Sequence, residues 1–490
     1  MTVFGSLSIR HLAERLRNGT ATATTIANQA LARRDRLQAT LQAFVPDGTP
    51  FGSTARALQV AGALDAARAR GEPTGPLAGV PFTHSDDLLQ AGTRTGACSR
   101  MLGAFRAPTT ATALTRMIAA GAVPIGATNH DEFGLGGTSA SSCHGPTQPP
   151  HHAARLAGFG GAAAVAADLA ILAVARDAAG AVRQGASWCG LTGLKPTPGR
   201  VSRAGLVATA SSLECLGAVA RRAEDLALWL DVVAGPDPAD PTTMATTTRE
   251  PVLPTLSGRR DLRGLRLGLP WQLNGPGLDD EVANCTRGAA AAAEHLGATL
   301  VDSSLDGVEH ALAAWLVIGS AEATSNLARF DGILLGPRRE RATVAETAAA
   351  SRSAGFGDDV QLRLLLGSHV LGADIERLLP RARAVRHRLA AAFASAFAHC
   401  DLLLAPTTPM PALQMHAGSD ASLTTLLAEA LTVPANLAGL PALSMPCGRG
   451  TDGLPIGLQA IAPAGREDLL LQFAHVLQQH SDHHLQHPCA

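Results

Sequence analysis

The chain has 490 residues, 46% of them hydrophobic, with 40 Lys and Arg against 41 Asp and Glu and a net charge of −1. That balance offers no electrostatic footing for nucleic acid or an anionic membrane, so neither is an expected partner. Apolar runs are too short or too interrupted to span a membrane; the longest, residues 162–175, is broken by Asp168.

This length is enough for a substantial core. The first residues, MTVFGSLSIRHLAERL, lack an apolar signal core, and the eight cysteines are scattered without paired spacing. Both features lead us to expect a cytoplasmic protein with reduced thiols. There is no tyrosine, and aromatic residues make up 3% of the chain.

Residues 8–45 space apolar side chains at three and four and break at Asn18-Gly19, which predicts two amphipathic helices with a glycine stop. A third helix over 55–70 leads into a buried strand over 77–82. Another helix over 111–121 precedes a strand over 122–126 and the loop Asn129-His130-Asp131-Glu132-Phe133-Gly134. Residues 155–198 then read as a glycine-rich turn, a small-residue helix over 161–167, an apolar strand over 169–174 and a second glycine-bearing loop. Two such loops beside a strand end make a pocket lined with backbone N–H groups.

The alternation predicts an α/β fold, a sheet covered by helices on both faces. Residues 236–260, rich in Pro, Thr and Asp, predict an exposed connection. Helices are predicted over 279–296, 375–399 and 467–479. No repeat divides the chain, and residues 1–490 are expected to form a single domain.

The stretch RLAGFGGAAAVAADLAILAVARDAAGAVRQGASWCGLTGLKPTP carries more than a fold pattern. Together with GVPF (79–82), GRVSRAGL, NLAGLPALSMP and GLPIGLQ, it resembles the amidase signature family, which includes amidotransferase A subunits and bacterial amide hydrolases. The likeness runs along nearly the whole chain. It implies an α/β/α sandwich with a mixed central sheet, and a more variable, pocket-covering part over about 262–400.

The family's chemistry uses a serine nucleophile in D-x-G-G-S, a bridging serine in S-S-G-G-S and a lysine after G-V-P-F. The lysine draws the nucleophile's proton through the bridging serine, while backbone N–H groups hold the oxyanion. Here Asp177, Gly180, Arg183 and Cys189 fall in register, but Ala181 holds the nucleophile position. Gly158-Phe159-Gly160-Gly161 replaces the serine loop in shortened form, and Ser85 holds the lysine position. Read this way, the catalytic triad is lost. The resulting expectation is a pseudoenzyme that binds a ligand or a protein partner, including a second copy of itself.

Other chemistry is weighed beside that expectation. His84, Asp86 and His130 could form a reassigned acid/base set acting on a carbonyl or amide metabolite. Hydrolysis by another nucleophile, Cys143 or a water activated by His84, is the third reading. Asp177 and Arg183 are expected to brace the loop, and Gly160, Gly161 and Gly180 to serve it structurally or to offer N–H groups to an anion. The tail His480, His483, His484, His487 and Cys489 is metal-like in composition but expected to be a solvated terminus. No metal and no cofactor is expected.

Overall fold

The computed structural model describes residues 7–46, 53–245, 251–372, 376–415 and 421–487. The N-terminal helices start where hydroxyl caps precede apolar spacing. Ser8 caps Ile9–Arg17 and Thr22 caps Ala23–Leu41, each hydroxyl accepting a first-turn N–H. The break between them falls at Asn18 and Gly19, as the spacing requires.

Ten strands follow: β1 (Pro81–Ser85), β2 (Val123–Thr128), β3 (Leu172–Asp177), β4 (Thr192–Lys195), β5 (Cys215–Ala220), β6 (Arg266–Pro270), β7 (Thr299–Ser303), β8 (Leu402–Pro406), β9 (Ala442–Arg449) and β10 (Pro455–Ile461). They form one sheet in the order β2-β1-β3-β5-β4-β9-β10-β8-β6-β7. The sheet is mixed: β1 runs parallel to β2 and β3, while β5 pairs antiparallel with β3 and β4. Two large apolar clusters cover its faces. One gathers Leu12, Ile26, Leu114, Trp229 and Phe473; the other gathers Trp315, Ile318, Phe393 and Leu437. This is the expected α/β architecture.

Three local expectations change. The strand expected over 77–82 starts later, because Gly79 takes a left-handed turn and Pro81 opens the extended run. The shift brings His84 and Ser85 into β1. Asp168 likewise takes a left-handed conformation, so β3 begins at Leu172 and runs to Asp177. The second glycine-bearing loop is largely a helix, Ala181–Cys189, entered through Gly180.

The connection over 236–260 is not simply exposed. Asp237 and Asp240 are buried, accepting bonds from the Ser202 hydroxyl at 2.5 Å and the Arg203 N–H at 2.7 Å. Asp231 caps the short helix Val252–Leu256, whose end residues are buried. Residues 246–250 lie outside the described residues, as do Ile375, the first residue of a predicted helix, and Cys489. That helix is observed over Leu378–Phe397.

Candidate functional site

β1 ends at Ser85, and Asp86 and Asp87 lie in the turn that follows it. Ser85 and Asp87 line a small cavity with His130, Gly158, Phe159, Arg176, Ala179 and Ala181. His84 and Asp86 do not line it. The cavity encloses about 20 Å³, close to the volume that one water needs.

On that side the Ser85 hydroxyl donates to Asp87 Oδ1. The other Asp87 oxygen stands 2.9 Å from Arg176 Nη2, and His130 Nε2 lies 3.9 Å from Oδ1. His130 Nδ1 donates to the Asp131 carbonyl at 2.7 Å, and its Nε2 has no hydrogen-bond partner. Burial raises the Asp87 carboxyl, but Arg176, His130 and the Ser85 bond together outweigh it and hold Asp87 below the usual carboxylate range.

Arg176 also donates through Nη1 to Glu214 at 2.6 Å and to the Phe133 carbonyl at 3.1 Å, and through Nη2 to the Val207 carbonyl. It thus ties β1, the 129–134 loop and the 207–214 segment together from beneath the cavity.

The opposite wall is the start of the helix Ala181–Cys189. Gly180 sits at φ 124°, and a side chain there would run into Thr432; only glycine turns this corner without strain. First-turn N–H groups of a helix have no partner within it, so this end presents donors beside Ala178, Ala179 and Ala181. The Ala181 side chain is a methyl group and contributes no polar atom.

Asp177 and Arg183 brace the turn. Arg183 grips the carboxylate with two bonds, at 2.9 and 3.1 Å, and spends its remaining donors on Thr432, Gln459 and Asn436. Burial would raise Asp177, yet Arg183 keeps it below the usual range.

Phe159 fills the ground between the two helices that flank the cavity. It is 2% exposed, and Cβ atoms built on Gly161 and Gly185 would lie 2.5 and 2.6 Å from its ring. Gly160 donates its N–H to Asn129 at 2.7 Å, so it does not offer that group to an anion.

The expected pairing of His84 with Asp86 on a pocket is corrected: His84, in β1, and Asp86, in the turn after it, both stay off the cavity lining. His84 donates from Nδ1 to the Ser85 carbonyl, faces Gln90, and burial lowers its basicity. Asp86 accepts from the Gly96 and Cys98 N–H groups, with burial raising its carboxyl to about 6. Of the expected set, His130 alone reaches the cavity.

Cys143 and His144 make no nucleophilic pair. Burial pushes the thiol up to about 11 and the imidazole down to about 4, and His144 meets Arg94 at 3.5 Å. The tail is not a solvated terminus: His484 is buried and His487 stands 3.3 Å from Asp168. Among the described residues no cluster has the ligand set of a metal site.

Two further groups went unmarked in the sequence. Glu429 is 2% exposed with neither carboxylate oxygen hydrogen-bonded, and burial raises it to about 8 against the pull of Arg363. Arg363 lies over the Trp315 ring at 5.0 Å, and the Trp315 indole donates to Ala178 at the cavity wall. Arg176, by contrast, had a signal: a charged residue inside the apolar strand LAVARD must find buried partners.

The α/β sandwich thus brings a hydroxyl, a carboxylate, an imidazole and a helix N-terminus to one cavity. The amidase family model matches residues 26–471, and the chain belongs to the amidase family. It is 41% identical over 474 residues to the A subunit of glutamyl-tRNA(Gln) amidotransferase from Synechococcus sp. (strain CC9605), covering 95% of this chain and 94% of that one.

Among solved structures, the crystal structure of the A subunit of glutamyl-tRNA(Gln) amidotransferase from Thermotoga maritima superposes with a TM-score of 0.81 at 28% identity, covering 99% of each chain. A chain from a vestigial protein complex that bears on the origins of an s-triazine catabolic enzyme superposes with a TM-score of 0.85 at 29% identity, covering 99% and 100%.

These likenesses overturn the expectation of a pseudoenzyme with its triad lost. Relatives aligned nearly end to end are amidotransferase subunits by name. The step that fails runs from three altered motif positions to an absent activity. Among the described residues no helix is long and apolar enough to cross a membrane.

Proposed function

We propose that this chain is an amide-processing subunit of the amidotransferase A type, acting as one domain together with a protein partner. The observation that carries the reading is the convergence of Ser85, Asp87 and His130 on one cavity at the N-terminus of the helix Ala181–Cys189. With Nδ1 held by the Asp131 carbonyl, the unpartnered His130 Nε2 is placed to act as a general base, and helix N–H groups suit the oxygen that gains charge when an amide carbonyl is attacked.

The substrate class that fits is the amide of an amino acid, such as glutamine. Glu429 suits an ammonium and Arg363 a carboxylate; Arg363 lies over Trp315, whose indole donates to Ala178 at the cavity wall. The names of the relatives and the complex formed by a structural neighbour support a partner. A cytoplasmic setting goes with this reading, since the seven cysteines among the described residues are all free.

The test is ammonia release from glutamine and other amino-acid amides, by wild type and by His130→Asn. Asparagine can still donate to the Asp131 carbonyl but has no base to offer. Loss of such a base lowers turnover by roughly 10²–10⁴-fold. Equal rates in the two proteins, or no ammonia from wild type with any amide, would defeat the proposal.

A further inference from the structure

Three polar atoms of the residues lining this cavity are buried with bonding capacity to spare: Arg176 Nε and His130 Nε2 have no hydrogen bond, and Asp87 Oδ2 has only its 2.9 Å ion pair with Arg176. Their residues are 4%, 7% and 1% exposed. Leaving a buried group without a bond costs about 1–3 kcal/mol, so the two unpaired nitrogens on one small space call for a shared partner.

The chemistry of the three is complementary. Arg176 directs Nη1 and Nη2 to Glu214, Phe133, Val207 and Asp87, which leaves Nε–H as a fixed donor. His130 Nε2 is an acceptor because Nδ1 holds the proton against Asp131. Asp87 Oδ2 faces Arg176 as an ion pair and still has lone pairs to accept with. One donor and two acceptors match a single water, which buried sites hold with about three bonds, and the cavity of about 20 Å³ has room for one.

We propose that this cavity holds one ordered water, accepting from Arg176 Nε–H and donating to His130 Nε2 and Asp87 Oδ2, and that this water, not Ser85, attacks the amide. The catalytic role rests on the amide reading above. Ser85 is the poorer candidate because its hydroxyl proton is committed to a carboxylate that Arg176 holds ionised.

In the step, a lone pair on the water oxygen forms the C–O bond while a water proton passes to His130 Nε2. The carbonyl π electrons move onto oxygen. Collapse re-forms the carbonyl and breaks the C–N bond, and His130 returns the proton to the leaving nitrogen. The products are a carboxylic acid and ammonia, with no acyl-enzyme.

Two measurements test this. A high-resolution crystal structure of the full chain should show one water within hydrogen-bond distance of all three atoms. Arg176→Lys, which keeps a cation between Asp87 and Glu214 but removes Nε–H, should lose that water. Density with no water there, or with a water bonded to none of the three atoms, overturns the site.

Rapid quench of wild type during turnover, read by intact-protein mass, should show no acyl adduct and no burst of ammonia; this measurement does not depend on whether the variant folds. An acyl adduct on Ser85 overturns water as the nucleophile. Water in place with no ammonia from any amide would keep the site and reject the amide reading and the attack together.

Discussion

Phe159 gives the sharpest mechanical test of how the cavity is built. Its ring packs against the backbones of Gly161 and Gly185, and it is 2% exposed. Phe159→Ala removes the ring and leaves glycine on two sides, so no neighbouring side chain there can lean into the gap. Buried Phe→Ala changes cost about 3–5 kcal/mol, and poor collapse puts this one in the upper half, about 4 kcal/mol.

The assay is urea unfolding followed by tryptophan fluorescence, for which the fully buried Trp188 on the adjacent helix is a reporter. Gly185→Ala alone should cost about 1–3 kcal/mol by overpacking, because its Cβ would meet the ring at 2.6 Å. In the double variant the new methyl enters the space that the ring left. The two losses should then fall short of their sum by about 0.5–3 kcal/mol. A Phe159→Ala cost below about 1 kcal/mol, or strict additivity of the pair, would refute this packing.

Other predictions are simpler. Burial raises Asp225 to about 7, although it accepts the Ile9 N–H. The folded state therefore binds more protons than the unfolded one between the usual carboxylate range and pH 7. Stability should fall through that window as pH rises, by up to about 4 kcal/mol, and Asp225→Asn should flatten the fall in pH-dependent urea titrations. Glu429, raised to about 8, must ionise to hold an ammonium. Binding of amino-acid amides, read by calorimetry, should strengthen as pH approaches 8, and Glu429→Gln should remove both the affinity and the pH effect. The Cys143 thiol, pushed up to about 11, should react slowly with iodoacetamide at pH 7, and Cys143→Ser should keep full activity.

Much of the fold was legible because its causes are local. Hydroxyl caps and apolar spacing at three and four mark the first helices, and an unbroken apolar run marks β3. Boundaries moved where one backbone conformation decides them, as at Gly79 and Asp168, which no periodicity records.

The site was less legible. His130 could be singled out as an ionisable residue in a loop, but which side of β1 His84 and Ser85 face depends on where the strand begins, and where Asp86 and Asp87 point depends on the turn after it. A register error there exchanges the two sides. Glu429 and Arg363 lie far along the chain, and only Arg363 is linked to the cavity wall through Trp315, with no motif to announce either.

The account stands or falls on His130 as the base for amide cleavage. Steady-state ammonia release from L-glutamine should give a kcat for His130→Asn at least about 10²-fold below wild type, with KM changed by a few-fold at most. The same kcat in both proteins, or a wild type that releases no ammonia in the presence of its partner, would contradict it.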